Sequence, residues 1–580
     1  MPGGEGLSYY GARWYDAQLG RFASADTIVP DPSDPQSLNR FSYVRNNPTG
    51  AVDPSGHGDC NVYQDKGCKP PCDVVPAACG GGAGGSHPSP PHHGGGGSGG
   101  SNTPPPGHGS YPLPRNKMEK LGENGGMAKR RSVWAEQELG NAELGDARRT
   151  KRAVEIAGAR GRQPRGSIGE SLGEWAEVKG AYRFFENKAV DPGAIIASHG
   201  KQVAARVQAG GEKWVLAIQD SMHAESGEHD VWVHSTLVTT PERVPYGLIQ
   251  QQVWERDEQT KGKAKDRRKL SIEDKESVKW LRSIRASGAL QKELRESGVS
   301  LTRVVSIGDR ENDLFEAFVQ AQESEVDVLI RSAQDRRIAE DDTKKLWDYV
   351  MEQPVLGQTE AEVGRNGNRA ARIAQLSVRS VQVTLSPPVH HLKKKELSPI
   401  TVWAVHVIED HPPQGESPIE WLLLTSVPTT TFEEACERVR WYAARWLIEM
   451  FHKILKSGCG IEDRQFGSVD NFKRYLAIDS IVAWRVLFLT FLGRRAPDMP
   501  CSAILETEEW QALYAHTHNS APLPKQPPTL SQAMLWIAKL GGFLARKSDG
   551  HPGTLVIWRG LQHLRDIAIG FTLAKNLGKG

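Results

Sequence analysis

Apolar residues occupy most faces of the stretch 440–456, RWYAARWLIEMFHKILK, while its polar residues fall on one stripe. The stretch holds no Pro or Gly and is rich in good helix formers, which predicts a helix. Tyr442, Arg445, Glu449, His452 or Lys453, and Lys456 recur at steps of three or four and share one helical face. Trp446, Leu447, Ile448, Met450, Phe451 and Leu455 fill most of the rest. So wide an apolar surface sets the helix against a core, and its charged stripe then lines a cleft. A charged stripe by itself is ordinarily solvated surface. The strands upstream change that reading.

KWVLAIQD predicts a buried strand that ends on Asp220. DVWVHSTLVTT and VPYGLIQQQVWER predict two more strands in a meander, with His234 packed within its strand. A helix at ESVKWLRSIRAS leads to TRVVSIGDREND, a second buried strand with Asp309 following Gly308. VDVLIRSAQDRR predicts a third such strand with Arg331 at its end. From about 363 to 426, RIAQLSVRSVQVTL, ITVWAVHVIED and IEWLLLTS alternate in a β manner, as a β insertion would. Helical patterns fill the rest, ending in LSQAMLWIAKLGGFLARK and WRGLQHLRDIAIGFTLAK. Helices are also predicted between 127 and 200. There Arg148, Arg149, Lys151 and Arg152 follow a Gly–Asp turn, and Trp175, Tyr182, Phe184 and Phe185 are expected core residues of GEWAEVKGAYRFFENKAV.

Composition alters this picture mainly at the amino terminus. Residues 1–59 alternate aromatics with Gly, Asp and Asn, a pattern of short strands and tight turns. Residues 60–126 are dominated by Gly, Pro, Ser and His, the composition of a disordered linker. With 72 Lys+Arg against 70 Asp+Glu, the 580-residue chain is no general polyanion binder. Basic clusters at 129–131, 148–152, 261–269 and 393–395 remain available for local phosphate contact. No apolar run reaches the ~20 residues that span a bilayer, and no secretory signal opens the chain. Of seven Cys, the first four lack the paired spacing of a zinc site. Cys436, Cys459 and Cys501 fall in helical patterns and suit a reducing, cytoplasmic setting.

Two acidic residues at strand ends and a third on a later helix match what metal-assisted phosphoryl transfer needs. Carboxylates are hard oxygen ligands for Mg²⁺, and Mn²⁺ is a workable substitute. A pair of such ions ~3.5–4 Å apart can activate one oxygen and stabilise the leaving one. The helix also fits the signature Tyr-x₂-Arg-x₃-Glu-x₆-Lys at Tyr442, Arg445, Glu449 and Lys456. With LAIQD, GDREND, RWLIEMFHKILKSG, LGDARRTKR, GAYRFFEN, WLLLTS and AKLGGF, the chain from Met127 onward resembles the DDE cut-and-paste transposases of the Tn-five type, in the insertion-sequence-four family.

That resemblance implies an α/β fold whose centre, 201–470, is an RNase H-like catalytic domain with a β insertion at about 340–430. A helical end-binding domain at 127–200 and a helical dimerisation domain at 471–580 would flank it. Asp220, Asp309 and Glu449 would be catalytic and hold Mg²⁺. Tyr442, Arg445 and Lys456 would grip phosphates of the transposon end, with His452 and Lys453 on the same stripe. Arg310 and Arg331 match basic residues near the active site, and Arg148, Arg149 and Arg152 match end-binding helices. Trp421 would stack on a base flipped out at the hairpin. The implied partners are double-stranded DNA, both transposon ends and target, and a second copy of the chain, with no membrane. The implied activity is nicking, hairpin formation and strand transfer in the bacterial cytoplasm, on the nucleoid.

Residues 7–57 resemble instead the end of the Rhs (rearrangement hotspot) core, through YYGARWYDAQLGRF, NRFSYVRNNP and DPSG. The repeats of such a shell are missing. The simplest origin is an insertion element read in frame from an rhs gene, with Met127 as the start of a separate protein. The alternatives are an Rhs-type toxin effector and an inactive fusion remnant.

Overall fold

The computed structural model describes residues 132–577 apart from 228, 257–270, 300, 364–371, 390–395, 520–521 and 547–548, together with the backbone of five short strands nearer the amino terminus. Contacts divide the chain into two units, Met1–Pro106 and Gly107–Gly580. In the first, β1 (Leu7–Tyr10), β2 (Arg13–Asp16) and β3 (Arg21–Phe22) form an antiparallel sheet, and β4 (Ala51–Val52) pairs with β5 (Cys60–Asn61). The short strands expected of this aromatic-rich stretch are present at those residues. The linker expected from 60 to 126 lies outside the described residues, except for Cys60–Asn61, as do the basic clusters at 129–131, 261–269 and 393–395.

The second unit is built on one nine-stranded sheet of order β11-β12-β13-β14-β10-β9-β6-β7-β8. Its strands are β6 (Trp214–Ser226), β7 (His229–Thr239), β8 (Pro245–Glu255), β9 (Arg303–Gly308), β10 (Asp327–Arg331), β11 (Gly357–Val363), β12 (Arg372–Leu385), β13 (Ile400–Glu409) and β14 (Glu420–Thr425). Only the pairs β6–β9 and β9–β10 are parallel. The parallel strands are buried on both faces, which explains why their sequences are mainly apolar, with Ser306 of β9 the buried exception. The β segment expected as an insertion is β structure and belongs to this same sheet. Its last strand, β14, pairs with β10 and carries the sheet onward.

Alternation along the strands assigns each side chain a face. Leu216, Ile218, Val305, Ile307, Leu329 and Leu423 join one core, and Val215, Ala217, Val304, Val328, Ile330 and Leu422 join the other. The first face carries α11 (Val469–Arg495), the second α6 (Val278–Glu296) and α7 (Phe315–Glu323). Helix α11 corrects the expectation from apolar runs, because by length and composition it could cross a membrane. Its apolar window is 94% buried inside the protein, so it acts as a core helix.

Upstream lie α1 (Val133–Leu139), α2 (Ala147–Arg162), α3 (Ile168–Leu172), α4 (Trp175–Glu186) and α5 (Pro192–Gly210). Asp146 caps α2 by accepting from the Arg148 N–H, as the Gly–Asp turn predicts. On α4 Phe184 and Phe185 are buried, together with Ala181. Trp175 and Tyr182, expected in the core, are 76% and 45% exposed. The two lie seven residues apart and share the outer face of an amphipathic helix whose inner face is already filled. The chain closes with α12 (Thr507–Thr517), α13 (Leu530–Leu540) and α14 (Thr554–Leu577). A Cβ at Gly560 would sit 1.8 Å from the Ile537 carbonyl oxygen, so glycine permits the close approach of α13 and α14.

Two buried ion-pair networks dock the amino-terminal helices. In one, Glu138 accepts from Arg206 Nη1 and from His199 Nδ1, each at 2.6 Å. Burial pushes the Glu138 carboxyl up, but Arg206 and His199 outweigh it and hold the group at about 2, against 4.5 in the unfolded chain. A depressed acid stabilises the fold fully above its unfolded value and loses that contribution as pH falls from 4.5 through 2. We expect Glu138→Gln to lower stability near neutral pH by about 3 kcal/mol and to flatten the acid limb of stability over that window. Thermal melts at pH 7 and pH 3.5 check it, since the variant should lose far less on acidification than the parent.

Candidate active site and nucleic-acid interface

Strand register brings the first two acids together. β6 pairs with β9 so that Ile218 lies opposite Ile307, and Asp220 and Asp309 each follow two residues later on the same face. Adjacent strands are ~4.8 Å apart, so the two carboxylates are neighbours. Asp309 also caps a short turn, accepting from the Glu311 N–H at 2.9 Å. Glycine is required before it, because a Cβ at Gly308 would lie 2.2 Å from the Asn312 amide.

The third acid comes from the helical stretch, whose form differs from the expectation of one helix over 440–456. Helix α9 (Phe432–Ala444) starts earlier, behind a Thr431–Glu434 capping box. Arg445 alone separates it from α10 (Trp446–Lys453), and a π turn follows at Ile454–Gly458. Backbone angles at Arg445 stay helical, at φ −52° and ψ −34°, so the stripe survives the break. Leu447, Ile448 and Phe451 face the core.

Arg445 is the hub. It donates to Asp220 Oδ2 at 2.5 Å and to Glu449 Oε1 at 2.7 Å. Burial pushes the Asp220 carboxyl up to about 6; Arg445 opposes that, while the charges of Asp309 and Glu449 add to it. Burial likewise raises Asp309, against the Glu311 backbone hydrogen bond and Arg445. Burial works against the Arg445 charge, but Asp220, Tyr442 and Glu449 outweigh it. Two of the three carboxylates therefore share one guanidinium, whose charge also acts on the third, Asp309.

Tyr442 is buried beside this cluster, 5.1 Å from the Trp421 ring in an edge-to-face contact; burial pushes its phenol up, and Arg445 and Arg331 alongside oppose that. Arg331 also donates to the Glu420 carbonyl at 3.1 Å. Trp421 is half-buried, packed against the core yet not sealed within it. The structure thus gathers Asp220, Asp309, Glu449, Tyr442, Arg445, Arg331 and Trp421 in one place. Arg310 is exposed next to Asp309. Lys453 is exposed, and Lys456 pairs with Glu462 at 2.9 Å.

His452 departs from the expected stripe. It is buried, and burial with Lys456 and Arg445 nearby pushes its imidazole down to about 3, so it is neutral. Of the alternative pair, Lys453 is the one that faces solvent. Trp446, expected among the apolar faces, is 58% exposed next to Arg445. No sequence signal separated it from its buried neighbours. His234 is packed, as expected: fully buried, pushed well below its ordinary value by burial, and bonded to Ser221 and Gln219.

Among the described residues no group of three His, Cys, Asp or Glu side chains is set to hold a metal ion as placed. Asp220 and Glu449 share a guanidinium instead. The donor chemistry nonetheless fits a divalent cation: three hard-oxygen carboxylates, one of them raised to about 6 by burial and by its acidic neighbours.

Arg148, Arg149 and Arg152 lie together at the start of α2. Arg148 is 91% exposed and pairs with Asp146, Arg149 donates to the Leu144 carbonyl, and Arg152 pairs with Glu155. Residues 131–190, which hold these arginines, match the family model described as Transposase DNA-binding. Residues 481–578 match the model described as Transposase Tn5 dimerisation domain. Both matches are to transposase segments. They support a DNA transposase of the Tn5 type, with a DNA-binding segment before the sheet and a dimerisation segment after it. The first match spans α1–α4, and the second spans the end of α11 together with α12–α14.

Proposed function

We propose that the chain is a cut-and-paste DNA transposase that nicks transposon ends, closes them as hairpins, reopens them and joins them to target DNA. The observation that carries this reading is the gathering of Asp220 and Glu449 on Arg445 with Asp309 beside Asp220 in register, between segments matching transposase DNA-binding and dimerisation models. The strand order β8-β7-β6-β9-β10, an antiparallel trio followed by two parallel strands, supports an RNase H-like centre.

Bound Mg²⁺ would supply Lewis acidity and a nucleophilic oxygen to the phosphodiester, held by Asp220, Asp309 and Glu449. The chain's other groups orient the substrate. Arg445 and Tyr442 offer a guanidinium and a phenol to a terminal phosphate, while Lys453, Lys456 and Arg310 add charge around the mouth of the site. Arg148, Arg149 and Arg152 hold the duplex by its backbone, which positions DNA without reading sequence. The test uses the purified full chain on duplexes from both flanks of its gene. Mg²⁺-dependent nicks at a fixed position, abolished by a chelator, support the reading; no cleavage with either metal overturns it.

Trp421 is proposed as the platform for a base flipped out during hairpin closure. The new 3′ hydroxyl must reach the opposite strand, and a stacked base holds the backbone too straight. Flipping costs a few kcal/mol, and an aromatic face returns ~1–3 kcal/mol. Trp421→Ala should slow hairpin formation by roughly 5- to 150-fold with first-strand nicking nearly unchanged. A time course on an end-labelled duplex separates the two steps. An equal fall in both would leave Trp421 as packing for Tyr442.

A further inference from the structure

The Arg445 guanidinium holds the Asp220 and Glu449 oxygens that a cation at this site would need. We propose that Arg445 is the resident cation of the DNA-free site, and that a DNA phosphate draws it away and admits a divalent ion. This rests on the three carboxylates being a cation site, as set out above.

Three features of the local structure support the exchange. Arg445 is the single residue between α9 and α10, so its side chain springs from a break and not from within a regular helix. Its side chain is 18% exposed and that of Glu449 is 44% exposed, so the guanidinium can be reached, and released, from solvent. The surroundings favour an arriving phosphate: Lys453, Arg310 and the Trp446 indole are exposed, and Arg331 and Tyr442 lie alongside.

The energetics of the exchange are close to balanced. Guanidinium binds phosphate through the same forked donors that bind carboxylate, so swapping partners changes Arg445 little. The carboxylates left behind would gain strongly from a divalent ion, because neighbouring acids on adjacent strands and on the helix would otherwise face one another without the cation they now share. A DNA-free site would then be protected from adventitious metal. By reciprocity, whatever DNA adds to metal affinity, metal adds to DNA affinity.

The test is a titration of free Mn²⁺ by electron paramagnetic resonance, using the full chain alone and with a flanking-DNA duplex whose 3′ ends are dideoxy-blocked. The duplex should tighten Mn²⁺ binding by at least ~10-fold in the wild type, within the roughly 5- to 150-fold range of site-to-site coupling. Arg445→Gln should bind Mn²⁺ about as tightly without DNA as the wild type does with it, and should stop responding to the duplex. Arg445→Lys, which keeps the charge but cannot span both acids, should fall between, and circular dichroism confirms that each variant is folded. Binding by Arg445→Gln no tighter than wild type overturns the proposal. Asp220→Asn added to Arg445→Gln should abolish the gained binding. If Mn²⁺ uptake survives that double change, the carboxylates are not the cation site and the broader reading fails with it. If uptake is lost but Arg445→Gln never tightened it, only the role of Arg445 falls.

Discussion

Asp220→Asn, Asp309→Asn and Glu449→Gln are each expected to reduce strand cleavage by at least ~10³-fold while DNA binding persists. The substitutions keep side-chain shape and remove the negative oxygen, so ligation of a hard cation is lost with little change in packing. The acids converge through register and a shared arginine, so loss of any one leaves the set incomplete. DNA affinity should hold or rise slightly, because each change removes a negative charge from a site that faces phosphate. Binding should still weaken with salt, with a log–log slope of ~0.9 per phosphate neutralised. Gel-shift and nicking assays on the same preparations check both halves. Wild-type nicking by any one variant removes that residue from the site.

The second large effect is structural. Arg160 on α2 and Asp479 on α11 are 1% and 0% exposed and pair at 2.7 Å. Arg160 also donates to Tyr475 Oη at 3.0 Å and to the carbonyls of Pro164 and Cys459. Burial disfavours its charge, but Asp479 and Tyr475 outweigh that. Arg160→Met would leave Asp479 buried without its cation, at a cost of about 3–5 kcal/mol. Helix α2, with Arg148, Arg149 and Arg152, should then undock, so DNA affinity falls although no DNA-facing residue has changed. Arg160→Met/Asp479→Leu should recover much of the loss, because an apolar pair leaves no charge unpaired. Protease sensitivity of the amino-terminal helices and gel-shift affinity read the two consequences. A double variant as impaired as the single one would mean that shape, and not charge, holds α2 in place.

Much of the fold was legible from apolar periodicity. Mainly apolar runs identified β6, β9 and β10, because strands buried on both faces have no polar alternation to conceal them. The ends of those runs located Asp220 and Asp309, and helical spacing located Glu449. Periodicity was silent wherever tertiary contacts decide. Nothing in RWYAARWLIEM marks Arg445 as the break between two helices, since its backbone angles remain helical. His452 and Lys453 both stand three or four residues from Glu449 and from Lys456, and packing buries the first. Trp446, Trp175 and Tyr182 were expected inside because large aromatics usually are; the faces that bury them were already filled by neighbours. The strands at 357–425 were recognised as β, but their continuity with the sheet depends on β14 pairing with β10, which no local pattern encodes. The Arg160–Asp479 pair spans 319 positions of sequence, beyond the reach of any window.

We propose that this chain cuts DNA at the ends of its own element through one three-carboxylate site. The most direct test is excision of a marker fragment flanked by DNA from both sides of the gene, run with purified full-length protein in Mg²⁺. The expected result is a released fragment whose ends are covalently closed hairpins, with no release by Glu449→Gln. Release by Glu449→Gln at the wild-type level, or DNA cut without regard to the flanking sequence, would contradict it.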